Sequence, residues 1–86
     1  METDTQQGIT DTSDTQFMAY LMAIGIKPID HQIRDKHVWW TFKETPELEK
    51  ARKDFYNNVA FIDAQTLCDY LRKVKILIRE IQRERR

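Results

Sequence analysis

Eighty-six residues, 33% charged and 41% apolar, make one small domain, of a size at which folding buries only about 60 to 65% of the surface the unfolded chain exposes. Fourteen basic residues balance fourteen acidic ones, so there is no bulk polycation to argue for nucleic acid, and a single cysteine, Cys68, excludes an internal disulfide and a cysteine-based zinc cluster. The balance is uneven along the chain: residues 1–14 hold Glu2, Asp4, Asp11 and Asp14 with no base, net −4, whereas residues 64–86 hold seven bases against Asp69, Glu80 and Glu84, net +4.

Residues 1–12 offer almost nothing to bury and are predicted to form a disordered acidic arm. Acidic and polar from its start, this arm is no signal peptide. Ser13-x-x-Gln16 reads as a capping box that opens a helix. Phe17, Tyr20, Leu21 and Ile24 continue it at i, i+3, i+4 and i+7; Gly25 supplies a left-handed stop, with Ile26 folding back behind it. The run 17–24 is the longest apolar stretch and falls far short of the ~20 residues of a membrane span. A soluble, cytoplasmic protein with no membrane partner is therefore expected.

Ile26, Ile29 and Ile33 follow, in a stretch that Pro28 keeps from being a central strand. After Arg34-Asp35-Lys36, residues Val38, Trp40 and Phe42 alternate with His37, Trp39 and Thr41. This pattern predicts an edge strand, a turn and a better strand, with Val38, Trp40 and Phe42 on the buried face and Trp39 on the other. Thr45-Pro46-Glu47 starts a second helix, with a capping hydroxyl, proline at the first helical position and acid near the positive dipole end. Its inner face is Leu48, Ala51, Phe55 and Tyr56; Asn57-Asn58 ends it, and residues 59–62 form an apolar connector.

Asp63 caps a last helix, residues 63–86, in which Leu67, Leu71, Val74, Ile78 and Ile81 recur at spacings of 4, 3, 4 and 3 and so share one face. Tyr70 and Leu77 broaden the stripe beyond the seam of a strict coiled coil. The expected fold is a small single α+β domain, residues 13–86, in the order α-β-β-α-α, with a two-stranded antiparallel hairpin packed by three helices.

Chemistry is sparse. His31 and His37 flank the hairpin turn and invite a metal with Asp30 or Asp35, but no third ligand is firmly placed, and exposed turn residues are the simpler reading. Two distant glycines exclude a glycine-rich phosphate loop. Ser13 is explained as a cap and Cys68 as a small core or boundary residue. No catalytic residue, metal or cofactor is expected, and the chain reads as non-enzymatic.

Binding is the stronger reading. At ~1.5 Å per residue the last helix runs to about 34 Å, longer than a domain of this size is wide, so its end is expected to project. Val74, Leu77, Ile78 and Ile81 would then seat a second copy, with a dimer as the expected oligomer. Arg79, Arg83, Arg85 and Arg86 would meet an acidic protein or nucleic acid, although bases at a helix C-terminus are also ordinary dipole partners. Trp39 is the best single surface candidate, as a contact anchor or stacking platform.

The motif order Phe17-x-x-Tyr20-Leu21-x-x-Ile24-Gly25-Ile26, Trp40-x-Phe42, Phe55-Tyr56-Asn57 and a closing amphipathic helix resembles a family of short, uncharacterised bacterial and phage proteins. The resemblance covers Phe17 to Ile81 and carries no activity. It implies context only, a phage or mobile-element accessory protein; the residues themselves add the expectation that it self-associates through its last helix and binds an acidic partner. The alternatives are a nucleic-acid-binding regulator using the basic helix and a virion or assembly component.

Overall fold

The computed structural model describes residues 8–57 and 60–84. Six elements follow one another: β1 (Ile9–Thr12), α1 (Thr15–Ala23), β2 (Asp30–Arg34), β3 (His37–Lys43), α2 (Pro46–Tyr56) and α3 (Ala64–Glu84). The fold is α+β, but the sheet has three strands, in the order β1-β3-β2, with both neighbouring pairs antiparallel.

The added strand corrects the expected disordered arm over 9–12; residues 1–7 of that arm lie outside the described residues. Ile9-Thr10-Asp11-Thr12 has little to bury, so hydropathy does not reveal it. Long-range polar contacts hold it instead. The Glu44 N–H donates to the Gly8 carbonyl at 2.7 Å, and the Thr10 hydroxyl donates to the Glu44 carboxylate, which also pairs with Arg52 of α2 at 3.2 Å. Three of the four residues are β-branched, which suits a pleated strand.

The cap of α1 sits one residue later than the Ser13 box predicts. Asp14 Oδ1 accepts the N–H groups of Gln16 and Phe17 at 3.0 and 3.1 Å, a stronger use of the positive helix end than a hydroxyl makes. At the other end Ile26 N–H reaches Leu21 O at 2.9 Å and Gly25 N–H reaches Met22 O at 3.1 Å, with Gly25 at φ 93°, the Schellman stop expected of this glycine.

Between these caps Phe17, Met18, Ala19, Tyr20 and Leu21 are all buried, whereas Ile24 is exposed. The expected one-sided helix is thus a helix surrounded by protein. Val38, Trp40 and Phe42 cover it from the sheet, Leu48 and Ala51 from α2 and Val74 from α3. Phe55 stacks at 5.4 Å on Phe17 and 5.3 Å on Tyr20. Of the connector before α3, Ala60 and Ile62 pack on the core and Phe61 is fully turned out; Val59 lies outside the described residues.

The β2–β3 turn is a two-residue one, with Asp35 and Lys36 at φ 51° and 70°, the left-handed pair that matches the twist of a hairpin. Thr45 caps α2 by accepting Leu48 N–H at 3.0 Å, and Asp63 caps α3 by accepting Thr66 N–H at 3.0 Å. Tyr56 ends α2 about half exposed, its hydroxyl donating to Asp14 Oδ2 at 2.7 Å and so tying that helix to the start of α1.

Two outcomes test these local devices. A Cβ on Gly25 would meet nothing within 4 Å, so Gly25→Ala costs only the left-handed backbone penalty and should lower unfolding stability by about 1 kcal/mol in urea titrations. Burial, and then the hydrogen bond to Asp14, push the Tyr56 phenol up to about 12. A group raised on folding stabilises fully below its unfolded value, near 10 for tyrosine, and loses that contribution as pH climbs toward the folded value. The urea midpoint should therefore fall between about pH 10 and 12, and Tyr56→Phe should remove that part of the fall.

Candidate functional site

Two surfaces remain after the core is assembled: the sheet face turned away from the helices and the outer face of α3. On the sheet, alternation and register put Asp11, Asp30, Gln32, Arg34, Trp39 and Thr41 on the open side. Trp39 lies there as the alternation predicts, but half-buried, because the Arg34 guanidinium sits 4.9 Å above its ring centre. The same guanidinium donates to Asp11 Oδ2 at 2.7 Å, and the buried Thr41 hydroxyl donates to Asp11 Oδ1 at 2.8 Å. A ladder of polar contacts thus crosses all three strands, from β2 over the centre to β1. The Arg34 hydrogen bond, followed by that from Thr41, lowers the Asp11 carboxyl below the usual carboxylate value.

On α3, Val74 is fully buried and Leu77, Ile78 and Ile81 are half-buried against the domain's own core. The helix end does not project as its length suggests. The Gln82 side-chain amide donates to the Lys36 carbonyl at 3.0 Å, which pins the last turns over the β2–β3 hairpin. The stripe expected to seat a second copy packs in part on the domain's own core.

The outer face carries Arg72, Lys75, Arg79 and Arg83, all exposed, at spacings of 3, 4 and 4 that keep them on one side. Arg72 pairs with Asp69 at 3.0 Å, and Lys73, nearer the acidic flank, lies 4.5 Å over the Tyr70 ring. Among the described residues Lys75, Arg79 and Arg83 enter no ion pair. Arg85 and Arg86 lie outside the described residues.

The two histidines do not meet. His31 stands opposite Trp40 on the helix side of the sheet, its ring 5.9 Å from the indole, whereas His37 stands opposite Arg34 on the open side. Among the described residues no three His, Cys, Asp or Glu side chains gather into a metal-sized group, and no helix is long and apolar enough to cross a membrane. Cys68, expected at the core or its boundary, is exposed on the outer side of α3. Shallow hollows remain among the described residues, two of them beside the core elements. One, of about 460 Å³, lies between Tyr20 and Ile24 of the α1 end and Ala51 of α2. The other, of about 500 Å³, lies between His31 and Ile33 of β2 and Ile81 and Glu84 of α3.

Sequence reasoning finds Trp39 and the basic stripe but misses the partners that roof the tryptophan. The one signal available is the β-branched content of 9–12, Ile9, Thr10 and Thr12 around Asp11.

These features define a small α+β domain: a three-stranded antiparallel sheet with one face under helices, the other closed by its own polar ladder, and a basic helix face turned to solvent. The chain belongs to the family described as Domain of unknown function (DUF5659), which matches residues 8–82 and so takes in β1. No curated protein matches the chain significantly, and neither does any solved structure.

The ladder has a pH signature. A carboxyl lowered on folding stabilises above its unfolded value, about 4, and loses that contribution as pH falls below it. Asp11→Asn should cost up to about 1 kcal/mol at pH 7, as expected of a partly exposed pair, and should flatten the acid limb of stability measured by urea unfolding between about pH 4 and 2.

Proposed function

We propose that this domain is a non-enzymatic binding protein that receives an acidic partner along the outer face of α3. The observation that supports this reading is the row Arg72, Lys75, Arg79 and Arg83, four exposed cations within 12 residues, a length of about 16 Å of helix. The carboxylates of Asp69, Glu80 and Glu84 stand on the same helix but along its other flank. The field is therefore one-sided, attracting an anionic surface that approaches over the arginines and repelling one that approaches over the acids. With the apolar stripe of α3 used by the domain's own core, the charged side is what the helix has to offer.

Nucleic acid is the sharper form of the proposal, because phosphates repeat at a spacing that a helical row of cations can follow, and counterion release gives it a distinctive readout. Fluorescence anisotropy with a short DNA duplex should show binding at low salt. The log–log salt slope should lie near −3 to −4, about 0.9 per phosphate neutralised by three or four cations. The double variant Arg79→Glu, Arg83→Glu should weaken binding more than tenfold and flatten the slope by roughly 2. Binding to a polyglutamate probe but not to DNA would move the partner to acidic protein. Binding to neither at low salt would overturn the proposal.

A further inference from the structure

We propose that two copies of this domain join edge to edge through β2, antiparallel about Gln32, to form one continuous six-stranded sheet. β2 ends the strand order, and among the described residues no strand lies beyond it. All of its residues except Ile33 are exposed.

The backbone points the right way. Arg34 and His37 close the two-residue turn and so form a hydrogen-bonded pair, which by alternation turns the N–H and C=O groups of His31 and Ile33 toward the free edge. The His31 N–H accordingly takes no partner from β3 and instead donates to Asp30 Oδ1 at 2.8 Å.

The side chains fit one register. With a two-fold axis at Gln32, His31 of one copy faces Ile33 of the other and exchanges both backbone bonds with it. On the open face, Asp30 of each copy then faces Arg34 of the other, giving two cross-strand pairs of opposite charge. A shift by two residues either way keeps the backbone pattern but sets Gln32 against Asp30 or against Arg34, and both charge pairs are lost. Arg34 can serve both partners, because its Nη2 holds Asp11 at 2.7 Å while the guanidinium has five N–H donors in all. On the helix side, the hollow between Ile33 and Ile81 lies along this edge and is open to receive the aliphatic side chain of the second copy's Ile33. The neighbouring hairpin is pinned by the end of α3, so the edge is presented by a braced strand.

Sedimentation velocity tests this without any acidic ligand, and so separately from the binding role of α3. The wild-type chain should sediment at twice its 10.4 kDa mass. His31→Pro removes an N–H that faces outward and none that bonds β3, so the sheet should survive by circular dichroism while the dimer weakens at least tenfold. Asp30→Arg and Arg34→Asp each place like charges across both pairs and should each weaken self-association at least tenfold. Mixed in equal amounts, these two variants should recover a dimer of one copy of each. A wild-type chain that stays monomeric to millimolar concentration would sink the proposal. So would a dimer that tolerates Asp30→Arg, or a mixture of the two charge variants that recovers nothing.

Discussion

Burial of the middle of the first helix is the constraint from which the rest of the structure follows. Nine residues make too short a helix to persist alone in water, and five consecutive ones, Phe17 to Leu21, are buried. Five consecutive buried residues point around more than one turn, so this stretch needs cover from several directions. β3 supplies it from below with Val38, Trp40 and Phe42, α2 with Leu48, Ala51 and the Phe55 ring, and α3 with Val74 at the centre of its stripe. The caps at Asp14 and Gly25 pair the free backbone groups of the helix where it leaves the core for the surface.

That arrangement decides how the remaining surface is used. α3 packs along α1 and reaches the β2–β3 hairpin with its last turns, so its apolar side is turned to the core and its charged side is left outward. The sheet's far face has no helix over it, and the chain closes it with its own polar groups, Arg34 stacked on Trp39 and Asp11 held by Arg34 and Thr41. What stays open is directional: a cationic row on α3 and the backbone edge of β2. Both are surfaces of the kind that association uses.

Much of this was legible in the chain. The Thr45-Pro46-Glu47 start of α2, the Gly25 stop, the buried alternation of β3 and the stripe of α3 all rest on interactions within a few residues, where residue type and spacing determine geometry. Family membership over residues 8–82 agrees with the resemblance carried by Phe17 to Ile81. The misreadings share a cause as well. Asp14 replaces Ser13 as cap because the carboxylate can serve two backbone donors and the Tyr56 hydroxyl at once, and that hydroxyl is 42 positions away.

By itself, then, the sequence determined the three helices, the stop of α1, the start of α2, the hairpin and the apolar sides of β3 and α3, because those are local consequences of side-chain period and capping chemistry. Only the tertiary structure decided that Ile9–Thr12 is a strand, that His31 and His37 face opposite ways, that Trp39 is roofed and that Ile78 and Ile81 pack in part on the domain's own core. Each of these depends on strand register or on a partner 20 or more residues distant, such as Arg34 for Asp11 or Lys36 for Gln82. Pairing at that range is set by how the whole domain closes around α1, and no window of neighbouring residues contains it.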